Sequence, residues 1–344
     1  MAAYVIGYLK WKHLLMKNYE IIATLGPASD VEAVWMSMLA AGATAFRLNT
    51  SHLALGQLWA WLERLEPFLR DRQPRPALVL DLQGSKWRLG QFSPLELVDG
   101  QTIELVLSPT SDRPDCLPVP HADFFQAALL SSPELRLNDA KVHLRVESIA
   151  NERLRARVIR GGSLSAHKGI TYLASDFRSE ALSEKDQQII GQTKDLPGIR
   201  YALSYLRDAA EMHRYRTRLG PQAYLIAKLE RAPAMAEAEQ IAAEANELWV
   251  CRGDLGAELG LPGMAQAVYA LGGSVHGLNR PVMMAGQVLE HMTTAAAPTR
   301  AEVCAIHDAL ALGYGGFVLS DETAIGHSPL KACQAAAMFR NDGS

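Results

Sequence analysis

Cysteine is scarce in this chain, and what there is lacks pattern. The 344 residues contain four cysteines, Cys116, Cys251, Cys304 and Cys333, with no CxxC and no paired spacing. That excludes a disulfide-stapled scaffold and a zinc ribbon, and it predicts a reduced, cytoplasmic setting with buried thiols. Long apolar runs are missing as well. None approaches the ~20 residues a membrane helix needs, so no membrane partner is expected. The apolar run at the N-terminus is short and is not preceded by a basic region. It meets Lys10, Lys12 and His13, which is not the layout of a signal peptide. Met16 sits just before the first convincing strand, so residues 1–17 read as an N-terminal extension. Excess positive charge is also lacking: 34 Lys and Arg stand against 37 Asp and Glu, a net charge of −3. No global field invites nucleic acid. The histidines at 121, 143, 213, 276, 291, 307 and 327 show no metal-ligand spacing. The tryptophans at 11, 35, 59, 61, 87 and 249 form no basic-aromatic array. "LRDAAEMHRYRTRLG" reads as a solvated cationic helix face, and "GGS" at Gly161 is too short for a phosphate loop.

What the chain has in quantity is short apolar strands alternating with helix-length segments. Strands are expected at "EIIATL", "ATAFRLN", "ALVLDL", "RYALSY", "AYLIAKLE", "ELWVC", "PVMMA" and "GFVLS". Between them lie segments such as "DVEAVWMSMLAAG", with an N-cap expected at Ser29-Asp30 and an end at Gly42, and "APAMAEAEQIAAEAN". Near-continuous apolar strands separated by helices indicate a helix-covered parallel sheet. Eight such units indicate a (β/α)8 TIM barrel of the α/β class, with a doubly wound sheet as the alternative from pattern alone. From about residue 89 to 172 the rhythm changes. "LVDGQTIELVLSP", "KVHLRVESI" and "RLRARVIRGGSL" alternate with period 2 between Gly, Asn or Asp turns. This interval reads as a small β-barrel-like lid domain inserted after barrel strand 3. The expected division is 1–17 as extension, 18–88 and 173–344 as barrel, and 89–172 as lid. The chain ends one helix after the eighth strand, so no further domain is expected.

Polar residues gather where barrel strands end, which is where the catalytic groups of such barrels lie. The strand ends read "RLNTSH", "DLQGSKWR", "KLER", "CRGDLG" and "LSDET". Lys228 and Glu230 are two apart on one strand and point to one face. With Asp254 after the next strand, two carboxylates could hold Mg²⁺, which takes few protein carboxylates and keeps sites for substrate oxygens and water. A Lys beside such an ion suits an oxyanion or a phosphoryl group.

"IIATLGPASD", "FRLNTSH", "GGSLSAHKGITYL" with "LSEKD", "IAKLE", "VCRGDLGAEL", "PTRAEV" and "LSDETAIGHSP" occur in this order from about residue 19 to 331. Together they resemble the pyruvate kinase family. The resemblance implies a (β/α)8 barrel with a β domain inserted after strand 3. It also implies a glycolytic phosphoryl transfer from phosphoenolpyruvate to ADP, giving pyruvate and ATP, with Mg²⁺ or Mn²⁺. Carried over by position, Glu230 and Asp254 hold the metal. Lys228 neutralises the phosphoryl group in flight, and Arg47 grips the phosphate. The backbone of Arg252, Gly253 and Asp254 binds the substrate carboxylate, with Gly286 nearby. Thr24, Pro27, His52 and Arg88 face the nucleotide, and Asp139 and Lys168 in the lid close over it. A homo-oligomer is left open.

Most of the family reads D-T-K-G-P-E where this chain has "DLQGSK", and needs bound K⁺. A subgroup that needs none is similar to this sequence. Leu82 cannot ligate K⁺ as a Thr hydroxyl can, and the Lys86 ammonium can supply the missing charge near the phosphate. Asn49, Ser51 and Asp81 are expected to orient that ammonium. Three departures stand out. Gly286 replaces the Thr whose hydroxyl belongs to the protonation machinery. The C-terminal domain that carries effector sites in many members is not in this sequence. Asp321 stands where Gly is usual. On this reading Lys228→Met abolishes transfer while folding stays intact, and Gly286→Thr keeps or raises turnover. The competing functions are a Mg²⁺-dependent aldolase or lyase making a pyruvate enolate on the same site, and a non-catalytic regulatory or scaffold protein.

Overall fold

The structure is a computed structural model and describes residues 18–128, 132–138, 140–172 and 182–340. The expected N-terminal extension and Asp139 lie outside the described residues. Eight parallel strands close into a barrel. They are β1 (Glu20–Thr24), β2 (Ala45–Asn49), β3 (Ala77–Leu82) and, after the insertion, β12 (Ile199–Leu203), β13 (Tyr224–Leu229), β14 (Glu247–Cys251), β15 (Val282–Ala285) and β16 (Gly316–Leu319). Their order around the barrel is β1-β16-β15-β14-β13-β12-β3-β2. The fold class read from the sequence is therefore the one observed, and the doubly wound alternative falls.

Strand alternation sorts the side chains. Ile22, Ala45, Val79, Ala202, Ile226, Trp249, Met283 and Val318 fill the barrel interior. Ile21, Phe46, Leu48, Leu80, Leu225, Leu248 and Phe317 point outward and pack under the helices. Below the interior layer, at the strands' N-terminal ends, Arg200 donates to Glu20 at 2.9 Å and to Glu247 at 3.2 Å. Tyr224 and Trp249 donate to Glu247 as well. This polar plug closes the floor and leaves the C-terminal end for the site.

Two local expectations change. The helix Glu32–Ala40 starts from Val31, not Ser29-Asp30. Ser29 Oγ instead accepts from the Gly26 amide at 3.0 Å and closes a 3₁₀ turn over Pro27–Ser29, while Asp30 pairs with Arg64. The segment "APAMAEAEQIAAEAN" forms two short helices, Ala232–Ala236 and Ala238–Glu244, broken where Glu237 leaves helical geometry.

The insertion carries β4 (Leu95–Leu97), β5 (Thr102–Leu107), β6 (Cys116–Val119), β7 (Glu134–Leu137), β8 (Val142–Ala150), β9 (Arg153–Arg160), β10 (Gly162–Leu164) and β11 (Ile170–Tyr172). Six of them form one sheet, β11-β7-β8-β9-β5-β6, and β10 pairs with β4 in a second. A helix the sequence reading did not anticipate, Ala122–Ala128, covers the sheet. The lid has its own core, with Phe124 stacked on Tyr172 at 4.9 Å and Trp87 edge-on to both.

Candidate active site

The stretch "DLQGSKWR" forms the exit from β3 into the lid, and its residues serve different neighbours. Asp81 points into the barrel. Leu82, one residue on, points the other way and is fully buried in the helix-facing core. Lys86 turns back over the barrel mouth and forms an ion pair with Asp254. Trp87 enters the lid core. Arg88 donates from Nη1 to the His167 carbonyl at 2.9 Å, and its backbone pairs with Gly169.

Asp81 is the hub of the upper barrel. It accepts from Arg47 Nε at 2.8 Å and Nη2 at 2.5 Å, from Lys228 Nζ at 3.1 Å and from Ser204 Oγ at 3.0 Å. Burial would push its pKa up, but Lys228 and Arg47 pull it down to about 2. For Lys228 burial would lower the pKa, and the carboxylates of Asp81 and Glu230 outweigh that and raise it. Both shifts favour the charged pair, so the ammonium stays protonated at neutral pH. Lys228 Nζ also lies 2.9 Å from Glu230 Oε1 and 2.8 Å from Ser204 Oγ. Glu230 in turn accepts from the Tyr205 amide at 2.6 Å.

Asp254 sits in the first turn of the helix that begins at Arg252, directly after β14. That places the free amides of a helix N-terminus at the barrel mouth, where they favour an anion. The Arg252 side chain donates to the carbonyls of Gly286 at 2.9 Å and Gln287 at 2.8 Å, so it braces the loop after β15. Glu322, fully buried, accepts from the amides of Ser320 and Leu289 and ties the exits of β16 and β15 together. Burial raises its pKa to about 7.

The structure does not treat all the expected residues alike. Arg47, Asp81, Lys228 and Glu230 form one continuous buried network. Asp254 joins Lys86 beside it. Asn49 accepts from the Ser51 amide at 3.3 Å and shapes the turn after β2. The ion pair of Lys86 is with Asp254, whereas Asp81 is engaged by Arg47 and Lys228. The expected orientation of the ammonium by Asp81 therefore gives way to Asp254, because Asp81 already carries two cations. Leu82 faces away from the site, so only Lys86 carries the argument about K⁺. Thr24 is buried, and its hydroxyl accepts from Arg47 Nη1 and donates to the Leu319 carbonyl, both at 2.7 Å. Its position inside the barrel makes it a support of Arg47. Pro27 and His52 are exposed at the rim, and Lys168 is half-buried in the lid.

Several supporting residues went unnoticed in the sequence. Ser204 holds both Lys228 and Asp81. Thr50 Oγ1 donates to the Asp81 carbonyl at 2.8 Å. In "LSEKD", Lys185 Nζ donates to the carbonyls of Thr50 and Leu53. Asp186 accepts from the amides of Gln83 and Gly84 at 3.1 and 3.0 Å. These two neighbours pin the exits of β2 and β3. The motif "LSEKD" marks them in the sequence without showing what they hold.

Glu230 and Asp254 suit a hard divalent cation. Each now carries an ammonium. Their carboxylate oxygens are the donor type that Mg²⁺ or Mn²⁺ takes. Among the described residues no group of three or more His, Cys, Asp or Glu converges on one point.

The family description "Pyruvate kinase, barrel domain" matches residues 16–333. The chain belongs to the pyruvate kinase family. Pyruvate kinases of Methylorubrum extorquens and Mycobacterium intracellulare are each 32% identical to it, over 92% of this chain and 66% and 68% of theirs. Pyruvate kinase II of Salmonella typhimurium is 32% identical over 94% of this chain and 69% of its own. The chain thus spans about two thirds of the length of these pyruvate kinases. No helix among the described residues is long and apolar enough to cross a membrane.

Gly286 is where the pyruvate kinase resemblance and the geometry conflict. Its φ is +80°, and a Cβ built there would lie 3.0 Å from the Gly253 amide nitrogen and 3.3 Å from that of Arg252. A β-branched residue at positive φ is strained by about 1–3 kcal/mol. The entropy a Gly→Thr change removes from the unfolded chain returns less than about 1 kcal/mol. The expectation for Gly286→Thr concerns turnover; the geometry adds a cost in stability. The variant should unfold at lower temperature and lower urea, and a midpoint equal to or above wild type would refute this.

Proposed function

We propose that the protein transfers the phosphoryl group of phosphoenolpyruvate to ADP and releases pyruvate and ATP. The observation that supports this best is the Arg47–Asp81–Lys228–Glu230 network at the barrel mouth, built from the positions the family resemblance assigns to phosphoryl transfer. In this reading the substrate carboxylate lies on the backbone amides that open the Arg252 helix. Arg47, held in plane by Asp81 and Thr24, grips the phosphate with what remains of its guanidinium fork. An ADP oxygen attacks phosphorus as the bond from phosphorus to the enol oxygen breaks. Lys228 stands where charge builds on the group in transit. The enolate left behind takes a proton at its terminal carbon. A divalent ion on Glu230 and Asp254 would supply charge neutralisation to the phosphoryl oxygens. Pro27, His52, Arg88, Lys168 and Asp139 are the proposed nucleotide contacts, and the lid excludes water during transfer.

Lys86 is proposed to stand in for K⁺. It is a buried, fixed ammonium on the Asp254 side of the site, so the charge a monovalent ion would bring is already covalently present. A coupled assay for pyruvate decides the reading. Pyruvate should form from phosphoenolpyruvate only when ADP is added, with equal rates in K⁺ and in tetramethylammonium buffers. Pyruvate formed without ADP would favour a lyase, and none under any condition would favour a non-catalytic role. Activity seen only with K⁺ would refute the part given to Lys86.

A further inference from the structure

Arg136 plays no part in the proposed chemistry, yet it joins the lid to the barrel at the helix that opens the site. It lies on β7 between Leu135 and Leu137, which are fully buried in the lid core. Alternation turns Arg136 to the opposite face of the sheet, opposite His143 on β8 and Thr171 on β11. From there its Nη1 donates to the carbonyls of Gly256, at 3.2 Å, and Ala257. The Arg252 helix breaks shortly after, at Gly260, whose φ of +72° is not helical. Carbonyls at the end of the first segment therefore run short of helical donors and carry the negative end of its dipole. A guanidinium is well matched to that position.

The same two-turn segment is held at its other end from the lid side. Lys86, in the β3 exit that leads into the lid, is paired with Asp254. Gly169, from the lid strand that returns toward β11, lies so close that a Cβ there would be 2.4 Å from Lys86 Cε. The lid thus holds residues 252–259 directly through Arg136 and, through Gly169 packed on Lys86, at Asp254; the amides proposed to receive the substrate carboxylate, at residues 252–254, lie at the Asp254 end.

We propose that Arg136 is the latch that holds the lid on this helix segment, so that lid position and the order of the substrate-receiving amides are one equilibrium. The second half of this statement rests on the proposed function and the first does not. Opening the lid must break a charge-assisted contact to two carbonyls, which biases the lid toward closure. Weakening the latch lowers the closed fraction, and apparent affinity falls in proportion.

Hydrogen–deuterium exchange on the substrate-free protein tests the latch without reference to activity. In Arg136→Gln, exchange should rise about ten-fold in residues 252–259, with β5, β7, β8 and β9 unchanged and the melting temperature kept. Arg136→Lys should recover part of the protection. Unchanged exchange in 252–259 would overturn the latch. Faster exchange throughout the lid with a lower melting temperature would also overturn it, because Arg136 would then be a folding residue of the lid. In the kinetic arm, the KM for phosphoenolpyruvate should rise several-fold while kcat moves less, since saturating substrate restores closure. A KM that stays fixed while exchange rises would overturn the coupling to the site. A wild type inactive on phosphoenolpyruvate would sink the proposed function and leave the exchange result to judge the latch alone.

Discussion

Lys228→Met is expected to reduce turnover with phosphoenolpyruvate and ADP by about 10²–10³-fold or more. The ammonium is fixed by three partners, Asp81, Ser204 and Glu230, and is almost wholly buried. It needs no reorganisation when charge develops beside it, and little water is present to screen it. The same contacts change what the variant does to the fold. From the sequence alone, loss of Lys228 is a loss of chemistry with folding intact. In the structure it also strips a counter-ion from two buried carboxylates, and removing one partner of such a pair costs about 3–5 kcal/mol. Asp81 keeps Arg47 and Glu230 keeps the Tyr205 amide, which limits the damage. The variant should therefore fold, melt earlier and bind Mn²⁺ at least as well as wild type, because Glu230 is freed of its ammonium. Rates must be compared well below its melting point. Turnover within ten-fold of wild type under those conditions would remove Lys228 from the transfer step.

The architecture was legible because period carries it. Eight apolar strands at helix-length intervals have few solutions, and the switch to period 2 between β3 and β12 marks the insertion. The charged site residues were legible for a similar reason. A Lys and a Glu two apart on a strand share a face, and an Asp just after a strand end lies at the mouth. What the sequence hid is partnership. Nothing local tells Asp81 that it will bind Arg47 and Lys228, because these come from three strands of a closed barrel. Thr24 shows the same: the sequence gives no sign that its hydroxyl accepts from Arg47 on the neighbouring strand. Leu82, next to Asp81 on the strand, faces the opposite way into the helix-facing core. Arg136 left no trace at all, since its partners are main-chain carbonyls 120 and 121 positions away.

Asp81→Asn is expected to be the most damaging single change to the framework of the site, and its pH dependence identifies the cause. The Asn oxygen can still accept one donor. Its amide group, however, must then face a guanidinium or an ammonium, donor against donor. Two buried cations lose their shared anion, and only Lys228 has a second carboxylate, Glu230. A cost of about 3–5 kcal/mol follows near neutral pH, together with loss of the aim that Arg47 and Lys228 need for transfer. The sign of the pH effect is fixed by the depressed pKa. Asp81 titrates near 3.8 when exposed and at about 2 in the folded chain. Its ionised form therefore stabilises the fold fully above pH 4, and that contribution, on the order of 2 kcal/mol, is lost as pH falls from about 4 through about 2. Other carboxylates titrate in the same range, but they are common to both proteins and cancel in the difference. Urea unfolding of wild type and Asp81→Asn at a series of pH values should show a stability gap that is constant above pH 4 and narrows toward pH 2. A gap that holds its size down to pH 2 would mean that Asp81 matters for its shape and not for its charge, and the electrostatic account of the Arg47–Asp81–Lys228 network would fail.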